Sequence, residues 1–141
     1  MESETPAALD DSGAPGVPGL EQALHLARAL VLADLGAADL AGADAVSMLE
    51  ESVAHRRWWV EQWPEGVAYV TGLVAQDVKE AVQDKHGRWP LCPVCTDTDD
   101  EGPHALEVEP ELGADPHWVC GETGTSVAPV GRLGPALFGR A

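Results

Sequence analysis

From Leu20 onward apolar residues recur at three- and four-residue steps. Leu20, Ala23, Leu24, Ala27, Leu30 and Val31 line one stripe of a helix that Gly36 stops. A second helix starts near Asp44, an N-cap type of residue, and carries Val46, Leu49, Val53 and Val60 on one face. It ends at Trp63, because Pro64-Glu65-Gly66 cannot continue it. A third helix follows at once, with Val67, Val70, Val74, Val78, Ala81 and Val82 on its stripe. Lys85 and His86 suit the negative end of its dipole, and Gly87 closes it. The connections are short, so the helices pack as antiparallel neighbours. Beyond Trp89-Pro90 the pattern changes to turn residues and short alternating runs, the mark of small strands. The pattern therefore predicts an α+β fold, with an antiparallel three-helix bundle over 20–87 and a small three-stranded β module over 88–133. Residues 1–19 hold Pro, Gly, Asp and Glu but no Lys or Arg, and read as a disordered acidic tail. Residues 134–141 form a C-terminal tail whose Leu137 and Phe138 either dock on the module or fray.

Composition narrows the function classes. A hydrophobic fraction of 45% in 141 residues can build a core, but one Tyr and one Phe leave it to Ala, Leu, Val and five Trp. A formal charge of −16 repels nucleic acid and anionic membranes, and no apolar run is long enough to span a bilayer. The first residues lack the basic start and apolar stretch of a secretory signal, so the expected compartment is the cytoplasm. There, three cysteines, two of them as Cys92-Pro93-Val94-Cys95, indicate metal binding or redox chemistry and not a disulfide framework.

Two thiolates at this spacing can face one zinc ion across a tight turn, and Cys120 adds a third. A closed structural site needs four ligands, and two histidines compete for the last place. His117-Trp118-Val119-Cys120 mimics a second knuckle, so spacing alone favours His117. Strand alternation favours His104. If His104–Glu109 and Pro116–Cys120 pair around Gly113-Ala114-Asp115 with His104 opposite Cys120, then His104, Leu106, Val108, Trp118 and Cys120 share one face. His117 then falls opposite Glu107 on the wet face. The expected ligands of one structural Zn²⁺ are Cys92, Cys95, His104 and Cys120, with His117 as runner-up. Iron is an alternative occupant of such a thiolate-rich site.

The arrangement resembles zinc ribbons, in which a knuckle and a short hairpin or three-stranded sheet share one metal. Trp89-Pro90-Leu91-Cys92-Pro93-Val94-Cys95, His104-Ala105-Leu106 and Trp118-Val119-Cys120 are also similar to the C-terminal end of small actinobacterial proteins. In that pattern the histidine before Leu is the ligand. The acidic stretch Thr96–Glu101 departs from it, and the resemblance brings no activity with it.

Other chemistry is weaker. A thiol–disulfide enzyme wants its C-x-x-C at a helix N-terminus after a strand, whereas here it follows a helix. A nucleobase deaminase wants His-x-Glu before Pro-Cys-x-x-Cys, and neither the order nor the spacing is present. Arg56, Arg57, Trp58 and Trp59 form a basic, aromatic island that reads as a partner site or, more simply, as an amphipathic helix with solvated arginines. The run from Asp97 to Asp115 holds eight acids and no Lys or Arg: a solvated face, a nucleic-acid mimic or a dock for a basic protein. A nucleic-acid-associated ribbon has the charge against it, with two Arg and nine acids between Arg88 and Leu133. The sequence thus predicts a non-enzymatic zinc-binding protein acting through protein–protein contacts, with the partner and the oligomeric state open.

Overall fold

The computed structural model describes residues 17–93 and 104–138. Helices α1 (Leu20–Ala37), α2 (Ala43–Gln62) and α3 (Val70–His86) form the bundle. Side-chain contacts between polar groups show their antiparallel directions. Glu21 with Arg57 and Arg28 with Glu50 tie α1 to α2 in opposite senses. Asp44–His86 (2.7 Å) and Asp77–Arg56 (2.8 Å) do the same for α2 and α3. The interior is built from fully buried Val31, Leu35, Leu49, Val60, Val70, Val74, Val78 and Val82, as the scarcity of Phe and Tyr requires.

The helix boundaries fall within a residue or two of those the periodicity predicts, with one exception. Pro64–Tyr69 is a 3₁₀ turn, and α-helix resumes only at Val70. Gly66 explains it: a Cβ there would lie 2.4 Å from the Trp59 ring and 2.9 Å from that of Trp63. The turn must tuck Gly66, the one glycine of Pro64–Tyr69, under two indoles, and the tighter 3₁₀ geometry achieves this.

The sheet has three antiparallel strands in sequence order: β1 (Glu107–Glu109), β2 (His117–Val119) and β3 (Ser126–Pro129). Glu107 pairs with Val119, Val108 with Trp118 and Glu109 with His117. This register corrects the expected one, in which Leu106 sits opposite Trp118, by two residues. Pro110 has no N–H to extend the ladder, and the Pro116 carbonyl already accepts from Val130 N–H at 3.0 Å. The loop is therefore longer than Gly113–Asp115. A shift of two leaves every side chain on its expected face, so Leu106, Val108, Trp118 and Cys120 are all buried.

Where the sequence predicts a tail, Leu133–Phe138 is a short helix, α4. Its start is anchored by Asp34 of α1, which is fully buried. The Asp34 carboxylate accepts the Trp118 indole N–H (2.8 Å), the Gly131 N–H (2.6 Å) and the Leu133 N–H (3.0 Å). Burial raises its pKa above the ordinary carboxylate value, and these three donors pull it back. Gly131 sits at φ +100°, where a Cβ would also strike Leu30 at 2.4 Å. Bundle and sheet share one hydrophobic cluster, which runs from Leu20 through Trp89 and Trp118 to Leu133.

Candidate metal centre

Three of the four expected ligands come together. Cys92, His104 and Cys120 place their ligand atoms within 4.8 Å of one another. Cys95 lies outside the described residues, as does the acidic stretch 96–101.

Each of the three is delivered by a separate piece of backbone. Cys92 lies just past Trp89, whose buried ring meets Trp118 edge-on at 5.5 Å and whose carbonyl accepts from Gln83 at the end of α3 (3.1 Å). His104 is not a member of the hairpin. It is held instead by an antiparallel bridge between Leu91 and Ala105, in which Cys92 N–H donates to the His104 carbonyl (2.8 Å) and Leu106 N–H to the Pro90 carbonyl (2.7 Å). That bridge compensates for the shifted register and keeps His104 beside Cys92. Cys120 follows β2 and opens a tight loop, its N–H donating to Thr125 O and its carbonyl accepting from Gly124 N–H, both at 2.8 Å.

The distances suit a tetrahedral ion. Zinc–sulfur and zinc–imidazole bonds of about 2.3 and 2.0–2.1 Å at tetrahedral angles separate S from N by about 3.6 Å. Cys120 Sγ and His104 Nε2 are 3.5 Å apart. His104 Nδ1 lies 3.0 Å from the Ala105 carbonyl, which assigns the ring proton to Nδ1 and leaves the Nε2 lone pair facing the sulfurs. The same hydrogen bond raises the His104 pKa, against desolvation and with help from Cys120 and Glu122. Both cysteines are buried, at 4% and 0% exposure, and His104 is half-buried at the edge of the same corner. The residues fit a soft divalent metal.

His117 takes no part. It pairs opposite Glu109, and its Nδ1 lies 2.9 Å from the Asp115 carbonyl, at the far end of β2.

The basic island divides. Arg56 is not a solvated charge: it grips Asp77 with two 2.8 Å hydrogen bonds and lies 5.3 Å over the Trp59 ring. Arg57 pairs with Glu21. Trp59 is half-buried beneath Trp63, whereas Trp58 is 57% exposed, stacked on His55. The described acids of the run from Asp97 to Asp115, namely Glu107, Glu109, Glu111 and Asp115, are exposed.

Asp34 is the residue that sequence reasoning passed over. The signal was present: it stands three positions after Val31, on the buried stripe of α1. An acid on an apolar stripe needs buried donors, and its partners lie about a hundred residues downstream where periodicity does not reach.

Among the described residues no helix is long and apolar enough to cross a membrane. No curated protein and no solved structure matches the chain. A family model described as a domain of unknown function, DUF8819, matches residues 20–130. That span begins with α1, ends just past β3 and contains the whole Cys/His cluster, and by it the chain belongs to the DUF8819 family.

Proposed function

We propose that the chain is a non-enzymatic, cytoplasmic zinc-binding protein, in which Cys92, Cys95, His104 and Cys120 hold one structural Zn²⁺ and the stiffened module serves protein–protein contacts. The observation that carries this reading is the convergence of two buried sulfurs and one correctly oriented imidazole nitrogen, with S to N at 3.5 Å. Cys95 is the natural fourth ligand on reach alone. Three residues from Cys92, it is confined within about 11 Å of that Cα. The donor set is too soft for calcium or magnesium.

A structural role is favoured over a catalytic one for two reasons. Four protein ligands leave no open position for water, and none of the three clustered side chains is a carboxylate that could act as a base. The metal's contribution would be to pin the Leu91–Ala105 bridge to the end of β2. Contact with a partner is assigned to the face around exposed Trp58 and to the acidic strands, since Arg56 and Arg57 are already engaged.

The test is bound zinc in purified variants, read with a colorimetric chelator. His104→Ala is expected to weaken zinc binding by at least about a hundredfold, while His117→Ala retains one equivalent. Equal losses in both, or loss only in His117→Ala, would sink this ligand assignment.

A further inference from the structure

An apolar hollow of about 250 Å³ opens between the end of α1 and the segment that leads into Cys92. Ala37 and Leu40 stand on one side, Trp89, Pro90 and Leu91 on the other, and Leu133 of α4 joins them. Two charged residues also border it, and both are engaged. The Asp34 carboxylate accepts from Trp118, Gly131 and Leu133, and Arg88 has a partner of its own. The hollow therefore offers neither sign of charge to a ligand. One polar group of its wall is unsettled. Trp89 is 3% exposed, yet its indole N–H meets no acceptor among the described residues, although its carbonyl accepts from Gln83 and its ring meets Trp118 edge-on. Trp118, by contrast, gives its N–H to Asp34. A buried indole N–H ordinarily has an acceptor, because burial takes its water away.

We infer that the hollow binds a small neutral molecule with one apolar ring and one hydrogen-bond acceptor, a ketone or ester oxygen, which takes the Trp89 N–H. Size agrees with this class. An apolar cavity of about 150 Å³ lined by aliphatic and aromatic side chains accepts a benzene ring. At about 250 Å³ this hollow has room for the ring and a substituent that carries the acceptor. Lining agrees as well. Its side chains are those of ligand pockets, mostly apolar with very few polar groups to set orientation. Leu91 is 47% exposed, and a ligand beside it would remove apolar surface from water. The three cysteine and histidine ligand candidates do not border the hollow, so the proposal does not rest on a bound metal.

Titration of the full chain with acetophenone, followed by ¹H–¹⁵N correlation spectroscopy of the indoles of its five Trp, tests it. Trp89→Phe identifies the Trp89 signal by its loss. The expected result is a saturable downfield shift of that signal, with half-saturation on the order of a millimolar or below for a ligand of this size. Isopropylbenzene has the same shape without the oxygen and should bind without that downfield shift. Trp89→Phe should weaken acetophenone about threefold to tenfold more than isopropylbenzene, the effect of one hydrogen bond. Ala38→Leu, at an exposed residue of the hollow's wall, leaves the indole in place and should abolish binding of both. No saturable shift at Trp89 overturns the proposal, as does equal weakening of the two ligands by Trp89→Phe. Binding that survives Ala38→Leu places the ligand elsewhere and overturns it too. So do nuclear Overhauser contacts from residues 94–103 or 139–141 to the Leu133 methyls in the ligand-free chain, since the chain would then fill the hollow itself.

Discussion

Removing the metal from the purified, reduced chain with a chelator is expected to lower its unfolding midpoint by about 15 °C or more and to open the module while the helices persist. Structural zinc contributes about 10–16 kcal/mol to the folding of zinc-finger peptides that have no other core. Here part of that support is duplicated. Trp89, Leu106, Val108, Trp118 and Leu133 are buried in the same cluster as the bundle. A loss of about 4 kcal/mol is thus the lower expectation, and at about 4 °C per kcal/mol it gives the stated shift. The loss should be local. Cys92 and His104 lie on one short bridge and Cys120 on a tight loop, and the metal would join the two. Near-ultraviolet dichroism from the edge-on Trp89–Trp118 pair should collapse, while the far-ultraviolet helical signal from α1 to α3 largely remains. Hydrogen exchange should quicken at the amides of Cys92, Leu106 and Cys120 first. Unchanged melting and exchange after complete metal removal would show that the apolar core alone holds the module.

Asp34→Ala is the substitution expected to cost most outside the metal centre, about 3–5 kcal/mol, or roughly 12–20 °C in midpoint. It strands three donors at once: the Trp118 indole and the N–H groups of Gly131 and Leu133. Each buried donor left without a partner costs about 1–3 kcal/mol. Asp34→Asn keeps the volume but turns an amide group toward donors, so it should rescue only part of the loss. The pH dependence has a definite sign. The folded pKa of Asp34 is raised, so its titration favours the folded state below the unfolded value of about 3.9, and that advantage fades as pH rises through the folded pKa. The Asp34→Ala variant should lose this component of the stability–pH profile. Urea unfolding of both variants across acidic pH measures it. A loss below about 1 kcal/mol would mean that water replaces the carboxylate and that Asp34 is not a structural lock.

The helices were legible because their information is local. Stripes of Val and Leu at three- and four-residue steps predict α1, α2 and α3, and Pro64 and Gly87 mark the breaks. The strand faces were legible for the same reason: alternation assigns Leu106, Val108, Trp118 and Cys120 to the interior whatever the register. What period-two reasoning cannot see is a displacement by two, and the hairpin has one, with Pro110 and Pro116 bounding its loop. The pairing that points to His104 in the sequence is thus not the one the protein makes, yet His104 arrives beside Cys120 by another route, the bridge from Leu91 to Ala105. The 3₁₀ turn was hidden because it depends on how Gly66 fits under Trp59 and Trp63 in space. The Asp34 lock and helix α4 were hidden because they are one feature. Leu133–Phe138 is too short to show a stripe, and its first turn is fixed by a carboxylate from the far end of the chain.

Metal content by inductively coupled plasma mass spectrometry, on chain purified reduced and without added metal, tests the central claim most directly. One zinc per chain, with Cys92, Cys95 and Cys120 all slow to alkylate until a chelator is added, is the predicted result. A metal-free chain whose three thiols react at once would contradict it, and would return Cys92-Pro93-Val94-Cys95 to thiol chemistry.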